Sequence, residues 1–433
     1  MNRIRTCLVD QAQTSEQQSA RRIILSGTVQ GVGFRPFIYR LAIKHQLVGW
    51  VKNCLGTVEI LVQGQARNIE LFVSDIFDNS PLLAKPKLES DEPVNIAELE
   101  SFSILQSEVN AIANNSVPTD LFLCDDCLAE LNDPTNRRYQ YPFINCTQCG
   151  PRYTLIKKLP YDRANTTMAD FGMCADCLAE YSDPSDRRFH AEPIACVQCG
   201  PSLSFKDVSG KTFNNSNLSY IVKVISDGGV VAVKGIGGYH LMCDASSDDA
   251  VSRLRDKKQR PRKPLAVMFP APVDNPFAIA EKALMLSDSD KRFLLQAARP
   301  VLMVKKVAVD GSLAEQLSES IAPGLNEVGI MLPYSPLHHL LLDKFSGPLV
   351  ATSANISGEP VLTDNEDVEQ RLAHVADAFL HHDRPIERPA DDPVYRNICD
   401  KPRPVRTGRG TAPLELWLPF KLQRPVLAVG ADM

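Results

Sequence analysis

Eight of the twelve cysteines fall into four C-x2-C pairs, and the pairs repeat along the chain. Cys124 and Cys127 are followed by Cys146 and Cys149, and Cys174 and Cys177 by Cys196 and Cys199. Each half reads C-x2-C-x18-C-x2-C, and the flanks repeat at the same 50-residue register. Cys127-Leu128-Ala129-Glu130, Asp133-Pro134, Arg137-Arg138 and Gln148-Cys149-Gly150-Pro151 return as Cys177-Leu178-Ala179-Glu180, Asp183-Pro184, Arg187-Arg188 and Gln198-Cys199-Gly200-Pro201. One module is therefore written twice. A C-x2-C knuckle turns two thiolates toward one ion, and two knuckles complete the closed tetrahedral shell of structural zinc. Two structural zinc ions are expected, with no ligand position left open for catalysis. The spacing leaves open whether the repeats exchange pairs; the expectation is one ion per repeat. Disulfides would need an oxidising compartment, and residues 1–20 show no apolar core of an export signal. An iron–sulfur cluster suits the 18-residue gap less well.

A chain of 433 residues has room for two to four domains. Its hydrophobic content of 44% and charged content of 23% are those of ordinary globular material. A net charge of -5 argues against a general nucleic-acid binder. No stretch approaches the apolar length of a membrane span, so a cytoplasmic protein without a membrane partner is expected. Residues 1–20 are polar and are expected to form a flexible tail.

Residues 21–108 read as βαββαβ, the split-βαβ order of ferredoxin-like folds. Arg22–Val29 is strand-like and Phe34–Gln46 helical. Leu47–Lys52 and Thr57–Val62 form a hairpin, Ile69–Ile76 is a second helix, and Phe102–Leu105 is a last strand. Between the first strand and helix lies Gly27-Thr28-Val29-Gln30-Gly31-Val32-Gly33-Phe34-Arg35. Glycines let backbone N–H groups close on an anion at a helix N-terminus, and Arg35 offers a bidentate fork to a phosphoryl group. The string resembles the acylphosphatase signature G-x-V-x-G-V-x-F-R. The resemblance implies that Arg35 binds the phosphate and that Asn53, ending Gly49-Trp50-Val51-Lys52-Asn53, orients the attacking water. The following turn, Cys54-Leu55-Gly56, is one residue shorter than is usual in that family. Read without the resemblance, Asn53 is a hairpin-turn residue.

The C-terminal half reads as α/β. Strands are expected at Val230–Val233, His240–Cys243, Leu265–Phe269, Val301–Val304, Pro348–Thr352 and Ala378–Leu380, and helices at Asp248–Lys257 and Ser335–Lys344. The basic run Lys257-Lys258-Gln259-Arg260-Pro261-Arg262-Lys263-Pro264 carries two prolines, which argue for a shaped loop. Thr352-Ser353-Ala354-Asn355-Ile356-Ser357-Gly358 closes a strand with small hydroxyl and amide groups. Cations converging on such donors describe a triphosphate pocket. These strings resemble the YrdC-type domain, which forms acyl-adenylates from ATP and a carbamate. The resemblance assigns nucleotide contact to Lys258, Arg260, Ser353 and Asn355, adds Lys263 and the Arg406-Thr407-Gly408-Arg409 segment, and matches Lys234 less closely. His338 and His339 are adjacent on a helix and point apart. His381-His382-Asp383 is expected in a loop after a strand. Cys7, Cys54, Cys243 and Cys399 read as packing or surface thiols.

Taken together, an α+β multidomain chain is expected: a flexible tail (1–20), an acylphosphatase-like domain (21–108), a double zinc-finger region (109–201), a YrdC-like domain (202–410) and a final segment (411–433). That order resembles one family, the hydrogenase-maturation carbamoyltransferases (HypF), as does the stretch Leu159–Met168 between the repeats. The resemblance implies hydrolysis of carbamoyl phosphate, then adenylation of carbamate with ATP and Mg2+. It further implies transfer of the carbamoyl group to the C-terminal cysteine of the partner HypE, in a third domain. Pro425–Met433 resembles the first strand and glycine turn of that domain, so a chain lacking the transfer step is expected. Two alternatives were weighed. A threonylcarbamoyl-adenylate synthase for tRNA modification would show threonine-dependent pyrophosphate release. A zinc-ribbon RNA-binding protein would show salt-sensitive RNA binding without ATP turnover, and the paired arginines Arg137-Arg138 and Arg187-Arg188 leave room for it.

Overall fold

A computed structural model describes residues 18–54, 56–81, 83–107, 117–213, 218–307, 317–356, 358–399, 401–414, 416, 420 and 422–427. Cys7, Ser357 and residues 428–433 of the C-terminal segment lie outside the described residues, as do residues 1–17 of the expected tail. The described chain forms two compact units. The first takes in the chain up to Pro118, Asn145–Gln148 and Ile156–Ile194; the second takes in Thr119–Ile144, Cys149–Leu155 and Ala195 onward.

The first unit opens with strand β1 (Gln18–Thr28) and helix α1 (Phe34–Lys44), followed by β2 (Val48–Asn53), β3 (Val58–Gln65), α2 (Ala66–Asp78), β4 (Lys85–Val94) and β5 (Phe102–Ile104). They build one sheet in the order β4-β1-β3-β2-β5. Alternation sends Ile23, Leu25, Val58, Ile60 and Val62 into a core shared with Phe34, Ile38, Leu41, Ile69, Phe72 and Ile76 of the two helices. β1 starts at Gln18, paired with Gln65, inside the stretch expected to fray. The strand that closes the split βαβ beside β1 is Lys85–Val94, which the sequence reading missed. Its string KPKLESDEPV has no apolar alternation because it is a largely solvated edge. Phe102–Ile104 is a strand, but it adds to β2 in parallel at the opposite edge.

In the four-cysteine region, helices α3 (Asp125–Asn132) and α4 (Ala175–Ser182) are 50 residues apart and equally long. Gln140 and His190, again 50 apart, both take a left-handed backbone. The duplication is therefore kept in backbone conformation as well as in sequence.

The second unit is built on β6 (Leu203–Asp207), β7 (Thr212–Phe213), β8 (Val231–Lys234), β9 (Tyr239–Asp244), β10 (Val267–Met268), β11 (Val301–Lys305), β12 (Glu327–Met331), β13 (Leu349–Ser353), β14 (Ala378–His382), β15 (Val394–Ile398) and β16 (Lys401–Arg406). Among the described residues they form an 11-stranded mixed sheet in the order β16-β15-β11-β12-β10-β13-β9-β8-β14-β6-β7. Helices α5 (Ser219–Ser226), α6 (Asp248–Lys257), α7 (Asp288–Leu294), α8 (Pro336–Phe345) and α9 (Asn365–Leu372) complete it. The central strands are buried on both faces and read as apolar runs, Val231-Ala232-Val233 and Leu349-Val350-Ala351. α6 begins where the Ser247 side chain accepts from the Ala250 N–H. Asp248 and Asp249 lie in its first turn, and Arg255 and Lys257 in its last. Both ends suit the helix dipole, and the helix delivers Lys258 at its C-cap. His381 and His382, expected in a loop, belong to β14 and are buried. The Tyr239 hydroxyl lies 2.6 Å from His381 Nδ1, and His382 Nε2 lies 3.1 Å from the Gly235 carbonyl oxygen. Buried polar partners let a strand carry these rings where periodicity alone would end it. Val426 and Leu427 are exposed.

Candidate functional site

In the first unit the glycine-rich turn joins β1 to α1. Gly33 caps α1 with φ 71°, and a Cβ there would lie 3.1 Å from the Thr147 side chain. The turn is tied down by Gln30, whose amide donates to the carbonyls of Cys54 (2.8 Å) and Thr57 (3.0 Å) in the β2–β3 turn. The short turn thus keeps Asn53 opposite Val58 at the strand end. Asn53 is buried, and among the described residues its Oδ1 has no hydrogen-bond partner. Orphaned buried acceptors are rare in folded proteins, and this one fits a donor that belongs to the reaction, such as a water molecule.

Arg35 is also buried. Its Nη2 donates to Glu192 Oε1 at 2.8 Å, and its Nη1 lies 3.1 Å from Asp162 Oδ1. The Tyr161 carbonyl is 3.5 Å away, and the Tyr161 N–H reaches back to Gln30 Oε1 at 3.4 Å. Burial alone would weaken the guanidinium charge, but the carboxylates of Glu192 and Asp162 outweigh it and raise the Arg35 pKa. Burial pushes the Glu192 carboxyl up, while Arg35 pulls it back. The nearby His190 imidazole is held neutral, its pKa lowered to about 4 by burial and then by Arg35. Tyr161, Asp162, Glu192 and Gln30 were missed by the sequence reading. Tyr161 and Asp162 sit in the Leu159–Met168 stretch, which packs onto the signature turn.

The cysteines group as one set per repeat: Cys124, Cys127, Cys146 and Cys149, and Cys174, Cys177, Cys196 and Cys199. Within each set the sulfurs all lie within 4.8 Å of one another. Cys124 and Cys174 cap α3 and α4, so each knuckle stands at a helix N-terminus, which favours thiolates. Four converging thiol sulfurs with no other donor type fit tetrahedral zinc and the expectation of one ion per repeat. The paired arginines do not form a basic surface. Arg138 and Arg188 are buried, and their Nε atoms donate to the carbonyls of Ala195 (2.8 Å) and Asn145 (3.1 Å).

In the second unit a cavity of ≈ 770 Å³ brings together Lys258, Arg260, Lys263, Ser353, Asn355 and Arg406. Lys258 Nζ donates to the Ser353 and Asn355 carbonyls and to Asn355 Oδ1. Ser353 Oγ donates to Asn355 Oδ1 at 3.0 Å, and Arg260 Nη1 to Thr352 Oγ1 at 3.2 Å. The basic loop is shaped from below by Arg255, another residue the sequence reading missed. Its guanidinium donates to the carbonyls of Arg260 (2.7 Å), Lys263 (3.2 Å) and Ile321 (2.9 Å). Burial, then the charges of Arg260 and Lys263, lower the Lys258 pKa to about 7. Arg260 is lowered by burial and by Arg255 and Arg406, and Lys263 first by Arg260. Like charges held this close weaken one another's hold on a proton.

Two expected members stand elsewhere. Lys234 is buried outside the cavity lining, its ammonium donating to Asn365 Oδ1 (2.7 Å) and the His382 carbonyl (3.2 Å). Burial lowers its pKa to about 8. Arg409 lies 3.3 Å over the Tyr334 ring and pairs with Asp392 at 3.0 Å. Asp392 in turn lies 2.8 Å from Nε2 of His240, and both line the cavity.

Family comparisons match this division. The acylphosphatase profile matches residues 21–104, the HypF-finger profile residues 123–156 and 173–205, and the Sua5/YciO/YrdC profile, described as telomere recombination, residues 223–408. Carbamoyltransferase HypF of Synechocystis sp. is 46% identical over 412 residues, covering 94% of this chain and 52% of that protein. A crystal structure of full-length HypF in the phosphate- and nucleotide-bound form superposes with a TM-score of 0.85 at 41% identity, over 92% of this chain and 51% of that one. The crystal structure of T. kodakarensis HypF gives 0.84 at 41% identity, over 93% and 51%. The chain spans about half the length of the curated relatives it matches.

Proposed function

Because the chain belongs to the HypF carbamoyltransferase family, we propose that it carries out the first two steps of carbamoyl transfer in [NiFe]-hydrogenase maturation. In the first unit Arg35 holds the phosphoryl group of carbamoyl phosphate and neutralises its charge. Asn53 Oδ1 accepts a hydrogen bond from the attacking water and aims its oxygen at phosphorus. The P–O bond to the carbamoyl group breaks, giving phosphate and carbamate. In the second unit Lys258, Arg260, Lys263 and Arg406 bind the triphosphate of ATP, with Mg2+ among the phosphates, and Ser353 and Asn355 offer polar contacts. Carbamate oxygen attacks the α-phosphorus, and carbamoyl-adenylate forms as pyrophosphate leaves. The cations stabilise the charge that develops on the leaving group. HypE, through its C-terminal cysteine, is the acceptor of the family reaction, and the cytoplasm is the compartment that suits reduced four-cysteine sites.

The observation that carries this reading is the convergence of six expected nucleotide residues on one cavity, where burial and then the positive charges of Arg260 and Lys263 lower the Lys258 pKa, and the charge of Arg260 lowers that of Lys263. Pyrophosphate release from ATP in the presence of carbamoyl phosphate, by the chain and by Arg260→Ala, is the test. Release by the wild type, reduced by about 100-fold or more in the variant, supports the reading. Equal rates in the two proteins contradict it.

A further inference from the structure

Three groups share the phosphate end of the first unit, and they differ in what holds them. The Arg35 side chain is 8% exposed and that of Glu192 1%, whereas that of Asp162 is 28% exposed. Glu192 cannot leave cheaply. Its Oε2 accepts from the Arg163 backbone N–H (2.9 Å) and the Tyr181 hydroxyl (3.0 Å). The Arg163 guanidinium also clamps the surrounding backbone, donating to the carbonyls of Glu192, Ile194 and Phe171. Swinging Glu192 out would strand several buried polar groups. Asp162 is placed differently. Among the described residues, Arg35 is the only partner of its carboxylate, and water already reaches it. The two carboxylates also use different nitrogens of the guanidinium, so one can leave while the other stays.

We propose that Asp162 is an exchangeable anion of the phosphate site. Its carboxylate satisfies Nη1 of Arg35 in the resting protein, then turns into solvent and gives that nitrogen to the incoming phosphoryl group, while Glu192 keeps Nη2 in place. The inference rests on the reading of Arg35 as the phosphate-binding residue. Two consequences follow from electrostatics. The resting site never exposes an unpaired buried cation, which would be costly. Any ligand must also outcompete a tethered carboxylate, so a phosphoryl dianion enters where a singly charged anion does not. Glu192 lies in the second four-cysteine repeat at the position where the first repeat has Pro142, and Asp162 lies between the repeats. The phosphate site is thus completed by residues outside the stretch that carries the acylphosphatase signature.

The test is titration of the chain with inorganic phosphate, followed by calorimetry or by 31P line broadening, for wild type, Asp162→Asn, Asp162→Glu and Arg35→Ala. Asp162→Asn keeps the shape and removes the competitor, and it should bind phosphate about tenfold more tightly than wild type. Asp162→Glu retains a competing carboxylate and should stay within about threefold. With the second unit's cavity filled by a non-hydrolysable ATP analogue in every titration, Arg35→Ala should bind no phosphate. Equal or weaker binding by Asp162→Asn, beside a normal wild type and a dead Arg35→Ala, overturns the exchange alone. Equal binding by wild type and Arg35→Ala overturns the reading of Arg35 on which it rests.

Discussion

Arg35 in the first unit is buried and Lys258 in the second half-buried; both are proposed to meet a phosphate, yet they are kept in opposite states. Arg35 has two carboxylates against its guanidinium and a pKa raised by them once burial is overcome. Lys258 has carbonyl and amide oxygens for partners and two cations beside it, and its pKa falls to about 7. The first site is self-neutralised, and the proposal is that it admits an anion by exchange. The second stores repulsion among Lys258, Arg260 and Lys263, which an anion would relieve. On the proposed function, an acyl phosphate would meet one arginine while a triphosphate would need several cations at once, which is the difference in charge the two sites carry.

The comparison breaks most readily at Glu192. Glu192→Gln leaves Arg35 buried with half its compensation and should destabilise the first unit by about 3–5 kcal/mol, read from chemical or thermal unfolding. The matching change in the second unit should do the reverse for stability. Lys258→Met removes a half-buried charge that costs folding energy, so the variant should gain about 1–2 kcal/mol near pH 6–7 while losing ATP affinity by about 30-fold. The sign follows from linkage. The folded pKa of about 7 lies below the ordinary lysine value of 10.5, so the unfolded chain binds more protons between those limits. The penalty is fully present below pH 7 and fades as pH rises through that window. The stability difference between variant and wild type should therefore shrink with increasing pH.

A smaller effect sharpens the same contrast. A bound triphosphate favours charged Lys258, so ATP binding above pH 7 should take up a fraction of a proton, and affinity should fall by up to about tenfold per pH unit. Calorimetry in buffers of different ionisation heat reads the proton directly; no uptake would contradict the depressed lysine. The smallest change is expected at Lys234. Its ammonium is satisfied by Asn365 and the His382 carbonyl outside the cavity, so Lys234→Met should shift ATP affinity by less than about threefold. A large loss would restore it to the nucleotide site.

The parts of these sites legible in the sequence are those that local chemistry determines. The cysteine spacing showed two four-sulfur clusters because a knuckle is a local geometry. Arg35, Lys258, Arg260, Ser353 and Asn355 stood in compact strings. What stayed hidden depends on contacts far along the chain. Glu192 lies 157 residues from Arg35 and Arg255 lies 66 from Ile321, and no period marks either. Lys85–Val94 was missed because a solvated edge strand has no buried face to reveal it. His381 and His382 were misplaced because their strand is fixed by buried hydrogen bonds rather than by apolar alternation. Glu192 stands opposite Pro142 at the 50-residue register, but its neighbours differ between the repeats as well, Tyr141 against Ala191 and Phe143 against Pro193, so the duplication did not single it out.

The claim that the two sites work in series is tested most directly by one assay. Pyrophosphate release from ATP is followed with carbamoyl phosphate as the sole carbamate source, in wild type and in Arg35→Ala, and again with ammonium carbamate supplied directly. The account predicts release by the wild type in both cases, and release by Arg35→Ala only when carbamate is supplied. Equal release by both proteins from carbamoyl phosphate would contradict it, because adenylation would then not depend on the first site.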